Sequence, residues 1–159
     1  MTSIKALIAE DEPLLAQSLR QALHQLWPEL DIVACVGDGL SALQLALQHL
    51  PEILFLDIRM PGMSGLEVAN ALTEDWPDHR AWPHIVFVTA YDQYAVQAFE
   101  TQALDYLLKP VQPERLARTV ERLKRPNPQL TSHAQTLHNS LHQIEQALVP
   151  PQAPVPRLA

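Results

Sequence analysis

A chain of 159 residues has room for one domain with a real core and a small appendage. Apolar residues make up 47% and charged residues 18%, an ordinary balance for a globular protein, and no apolar run is long enough to span a bilayer. The formal charge of -7 argues against a nucleic-acid grip by this chain alone, and the single cysteine, Cys35, allows no internal disulfide and suits a reducing compartment. With a strand-like segment starting after four residues there is no room for a signal peptide, so a cytoplasmic location is expected.

Residues 4–9 read as a first strand ending on Glu10-Asp11-Glu12-Pro13, three acids and a proline suited to the first turn of a helix. Leu14, Leu15, Leu19, Leu23 and Leu26 then recur at helical spacing, which predicts an amphipathic helix to about residue 27. A second strand over 31–36, a turn at 37–39 and a helix over 40–50 follow. Ile53-Leu54-Phe55-Leu56 is a continuous apolar run, as expected of a central parallel strand buried on both faces, and it stops on Asp57. A third helix is predicted from 65 to about 76. Trp76 and Trp82, near the two ends of the loop 77–83, are read as packing residues. Residues 84–90 form a fourth buried strand with Thr89 near its end. A helix over 93–100, a fifth strand over 105–108 ending on Lys109-Pro110, and a helix over 113–124 complete the domain. Strands alternating with single helices specify a parallel sheet covered on both sides, a doubly wound α/β fold. The expected division is a domain over 1–125 and a linker over 126–159, with an amphipathic helix at 133–149 and a Pro-rich tail.

Strand ends deliver Glu10, Asp11, Asp57, Thr89 and Lys109 to one edge of such a sheet, the edge where open α/β sheets bind ligands. Three carboxylates ~5 Å apart repel by roughly 3 kcal/mol per pair at an effective dielectric of ~20, so a cation is required to keep them ionised. Lys109 supplies one charge, and hard oxygen ligands suit Mg2+, or Mn2+, better than a soft metal. Magnesium held by few carboxylates is typically bound with a phosphate. That makes Asp57 a candidate nucleophile toward phosphorus, with Thr89 and Lys109 offsetting charge on the transferring oxygens. No Gly-x-x-x-x-Gly-Lys-Ser/Thr loop is present, and the position two residues after Asp57 is Arg59 rather than the second acid of aspartate-dependent phosphohydrolases.

The acids at 10–11, the strand-end Asp57, Thr89-Ala90 and Lys109-Pro110, in this order, resemble the receiver domain of two-component response regulators over about residues 3–125. The resemblance implies a flavodoxin-like five-stranded sheet of order 2-1-3-4-5. It further implies Asp57 as phosphoacceptor, and Mg2+ held by Glu10, Asp11, Asp57 and the backbone carbonyl of Arg59. Thr89 and Tyr106 would be a switch pair, and Lys109 would contact the phosphoryl group ahead of a cis bond to Pro110. The stretches 89–99 and 103–110 look like the LytTR-type subclass, whose DNA-binding domain is C-terminal and would lie beyond this receiver and its linker.

A sensor histidine kinase is therefore the expected partner. Phosphate would draw Thr89 toward Asp57, let Tyr106 turn inward and repack the face of helix 4, strand 5 and helix 5. Tyr94, Val96, Phe99 and the basic set Arg115, Arg118, Arg122, Lys124 and Arg125 belong to that region. The basic set reads either as a homodimer contact or as a solvated face countered by Glu114 and Glu121. Arg59 and Tyr91 should flank the phosphoryl group and limit access of water. The stripe Leu137, Leu141, Ile144 and Leu148 could pair with a second copy or pack back on the receiver. No turnover of a small-molecule substrate is expected. The alternative function is an interaction module that keeps the fold but dimerises without phosphate.

Overall fold

The computed structural model describes residues 3–100 and 102–125. The proposed linker, its 133–149 helix and the tail lie outside the described residues. Strands β1 (Lys5–Ala9), β2 (Asp31–Val36), β3 (Ile53–Leu56), β4 (His84–Thr89) and β5 (Asp105–Leu108) alternate with helices α1 (Pro13–Leu26), α2 (Gly39–His49), α3 (Gly65–Asp75), α4 (Ala95–Glu100) and α5 (Pro113–Lys124). The sheet is parallel throughout, in the order β2-β1-β3-β4-β5. The doubly wound expectation thus holds.

Strand alternation divides the core into two halves. Ala6 and Ile8, Ile53 and Phe55, Val86 and Val88, and Leu107 face α1 and α5, meeting Leu19, Leu23, Leu116, Val120 and Leu123. Leu7 and Ala9, Leu54 and Leu56, and Ile85 and Phe87 face the opposite side, where Ala42, Ala46, Val68, Ala69, Leu72 and Ala98 close over them. All four β3 residues are buried, which explains why that stretch is a continuous apolar run. Trp76 and Trp82 meet edge to face, 6.0 Å between centroids, against the second half of the core, so they are packing residues as expected.

Two local expectations are corrected. The helix expected at 93–100 is a 3-10 turn at Asp92–Tyr94 followed by a six-residue α4. The second helix starts at Gly39 rather than after it, because the Asp38 side chain caps it by accepting the Ser41 N–H. Pro13 occupies the first turn of α1, where its missing N–H leaves no orphaned donor.

Candidate functional site

Sheet register brings the chemistry together. Ala9 pairs with Leu56, so the next residues, Glu10 and Asp57, emerge side by side at the carboxyl edge, and Thr89 pairs with Leu108, which sets Lys109 next to it at the same edge. The ladder continues into the site: the Asp57 N–H donates to the Ala9 carbonyl at 2.9 Å, and the Lys109 N–H to the Thr89 carbonyl at 2.9 Å. Gly65 seats the first turn of α3 against the phosphoacceptor candidate. Its N–H donates to the Ile58 carbonyl at 2.8 Å, and a Cβ there would collide with the Asp57 backbone oxygen. Ser64 and Glu67 form a reciprocal capping box at this helix start. Gly39 is packed as closely under the Met63 carbonyl, so α2 supports the loop that carries Arg59.

Glu10, Asp11 and Asp57 each offer a carboxylate oxygen within 4.8 Å of the others. Glu10 and Asp57 are buried, whereas Asp11 is exposed. Lys109 Nζ reaches Glu10 Oε1 at 2.6 Å and Asp57 Oδ2 at 3.0 Å, so the ammonium bridges the two buried acids. Burial pushes the Glu10 carboxyl up to about 7 against the hydrogen bonds it accepts from Lys109 and the Glu12 N–H. Burial alone would lower Lys109, but its bonds to Glu10 and Asp57 outweigh that and hold it above its ordinary value. One lysine facing three carboxylates leaves the cluster short of positive charge. The hard oxygen donors and the strain of their mutual repulsion fit Mg2+ or Mn2+.

The flanking residues also converge. The Arg59 N–H donates to Asp57 Oδ1 at 3.3 Å, while its guanidinium lies 4.8 Å from the centroid of the Tyr91 ring. Arg59 and Tyr91 thus span from the β3–α3 loop to the β4–α4 loop. Thr89 is fully buried at the end of β4, and its hydroxyl accepts the Tyr91 N–H at 3.4 Å. The Tyr106 hydroxyl donates to the Tyr91 carbonyl, so the half-buried ring rests against the β4–α4 loop. Burial, reinforced by the Asp92 carboxylate, pushes that hydroxyl up to about 12 and keeps it a donor. The Lys109-Pro110 bond is cis, as the resemblance implied.

The basic set on α5 has a partner the sequence reading missed. Asp105, buried at the first position of β5, takes Arg115 bidentately at 2.5 and 2.9 Å, the Thr119 hydroxyl at 2.7 Å, and Arg122 at 3.4 Å. Among the described residues, Arg115 and Arg122 pair with Asp105 rather than with Glu114 or Glu121, although both keep more than a third of their side chains exposed. Arg115, Thr119 and Arg122 share one stripe of α5, a signal that points to a common partner without naming Asp105.

Comparison with known proteins agrees with this geometry. The model for the response regulator receiver domain matches residues 6–121. An uncharacterised response regulatory protein of Vibrio cholerae is 47% identical over 141 residues, 89% of this chain and 52% of that protein. The transcriptional regulatory protein BtsR of Salmonella typhi is 46% identical over 121 residues, 76% of this chain and 48% of BtsR. The chain therefore spans about half the length of these curated relatives. Among solved structures, the response regulatory domain of protein mrkE from Klebsiella pneumoniae superposes with a TM-score of 0.65 at 31% identity, covering 88% of this chain and 99% of that one. With sheet order, strand-end acids and family match in agreement, the chain belongs to the response regulator receiver domain family.

Proposed function

We propose that the chain is a phosphoacceptor, taking a phosphoryl group from a sensor histidine kinase onto Asp57. The observation that carries this reading is the convergence of three carboxylates with Lys109 Nζ, 3.0 Å from Asp57 Oδ2, at the end of the central strand. Asp57 attacks phosphorus through a carboxylate oxygen as the phosphorus–nitrogen bond to the kinase's phosphohistidine breaks and the imidazole leaves, while the Arg59 N–H steadies the other carboxylate oxygen. Lys109 is held by Glu10 where it can offset charge on the phosphoryl oxygens. Glu10, Asp11, Asp57 and the Arg59 backbone carbonyl would hold Mg2+, with Mn2+ able to replace it. An ion held there would supply the positive charge needed to offset phosphoryl oxygens that the acids repel.

Thr89 and Tyr106 form the switch pair in this reading, and Arg59 with Tyr91 guards the acyl phosphate from water. The output is transcriptional, through a C-terminal domain of the LytTR type. The transcriptional name of the BtsR relatives and the pattern of residues 89–110 support this. The receiver turns over no small-molecule substrate, works in the cytoplasm, and pairs as a homodimer through the α4–β5–α5 face, the 133–149 segment, or both. The test is incubation of the parent and Asp57→Asn with acetyl phosphate and Mg2+. A mass gain of one phosphate on the parent alone is expected; no gain on either would leave a phosphorylation-independent interaction module.

A further inference from the structure

The α4–β5–α5 face is not uniformly held. Neighbouring residues of β5 point to opposite sides of the sheet, so Asp105 and Leu107 lie on the α1–α5 side and Tyr106 on the α4 side. On the α5 side, the Asp105 carboxylate is saturated. Oδ1 accepts the N–H of Tyr106 at 2.8 Å and one Arg115 nitrogen at 2.5 Å. Oδ2 accepts the other Arg115 nitrogen at 2.9 Å and Thr119 at 2.7 Å, with Arg122 at 3.4 Å. α5 is further fixed by buried Leu116, Val120 and Leu123, and by Lys124, whose ammonium lies 5.5 Å from the Trp27 ring centroid. On the other side, α4 has six residues, and no α4 side chain makes an ion pair among the described residues. It packs on the sheet through buried Ala98 and meets the switch through the adjoining loop, where Tyr106 donates to the Tyr91 carbonyl and the Tyr91 and Tyr94 rings pack edge to face.

We infer that Asp105 is a positioning residue, a clamp that joins the Tyr106 backbone to Arg115 and Thr119 of α5. A change at the Tyr106 ring is then transmitted to α4 while α5 stays fixed. Because the same carboxylate binds the backbone of Tyr106 and the side chains of α5, β5 and α5 behave as one body. The Tyr106 ring and the β4–α4 loop supply the movement. Arg115 is committed to the clamp at short range, and Arg122 is held by one longer contact, so Arg122 is the more easily recruited of the two by an acidic group on a partner.

The direction of transmission rests on Asp57 as phosphoacceptor; the clamp does not. Amide hydrogen exchange on the 159-residue chain, with and without beryllofluoride and Mg2+, separates the two, and fluorine NMR reports whether beryllofluoride is bound. In the untreated protein, Asp105→Asn should speed exchange at Tyr106 and across α5 by about ten- to a hundredfold, leaving α1 and α3 unchanged. Thr119→Val should do the same to a lesser degree, and Thr119→Ser should restore parental exchange. An equal increase in every element, or none in α5, overturns the clamp. On beryllofluoride binding, the parent should change in residues 90–98 and not in α5, whereas in Asp105→Asn the change should spread into α5. A parental α5 that responds as strongly as α4 overturns the inference. If no beryllofluoride binds, the phosphoacceptor reading fails while the untreated comparison still decides the clamp.

Discussion

Replacing Lys109 with methionine removes the one ammonium bridging Glu10 and Asp57 while keeping most of the apolar stem. Ionised carboxylate oxygens within 4.8 Å of one another repel by roughly 3.5 kcal/mol or more per pair at an effective dielectric of about 20. Asp11 is exposed, and water screens its two pairs heavily, so the Glu10–Asp57 pair dominates. Removing one partner of a buried ion pair costs about 3–5 kcal/mol, and the open mouth of the site places this case lower, at about 2–4 kcal/mol. For a domain of this size that is a fall in Tm of roughly 6–16 °C in EDTA. The cluster without its lysine is also more negative, so MgCl2 should raise the Tm of Lys109→Met by more than it raises that of the parent. Thermal melts of both proteins in EDTA and over a MgCl2 series, with Lys5→Met as a control lysine elsewhere, measure both effects. An unchanged Tm in EDTA, or equal stabilisation by Mg2+, would refute the reasoning.

Gly65→Ala forces a methyl into the Asp57 backbone oxygen and should cost about 1–3 kcal/mol in chemical denaturation while reducing labelling by acetyl phosphate; parental values for both would show that the α3 start yields freely. Burial raises the Asp105 carboxyl, but Arg115, Thr119 and the Tyr106 N–H outweigh it and hold it below the usual carboxylate value of 3.8. Its folded pKa being depressed, the stability it contributes is present above pH 3.8 and lost as pH falls through the folded value. The stability gap between parent and Asp105→Asn should therefore be constant from pH 5 to 7, about 1–3 kcal/mol, and close in more acidic urea titrations. A gap that widens on acidification would contradict the sign. Replacing Arg59 and Tyr91 together by alanine removes the stacked pair and should shorten the life of phosphate on Asp57, read from its loss by mass spectrometry; an unchanged half-life refutes the guarding role.

Much of this was legible because parallel strands announce themselves. The run at 53–56 is apolar at every position since both of its faces are buried, and the periodic leucines of α1 mark one packed face. Glu10, Asp11, Asp57 and Lys109 were legible as a group since each follows a strand end, and the register then sets them side by side. Asp105 was not legible, because its role depends on which side of β5 faces α5, a matter of sheet placement rather than of neighbours in sequence. The Arg59–Tyr91 stack follows from loop geometry that no periodicity encodes, and the 3-10 turn before α4 gave no separate signal from the helix it precedes.

The order in which the pocket's parts occur along the polypeptide has a consequence for biosynthesis. The acid pair leaves the ribosome first, Asp57 some forty-seven positions later and the neutralising ammonium after another fifty-two. A nascent chain that has paired β1 with β3 holds its carboxylates together without Lys109 until β5 adds to the growing edge.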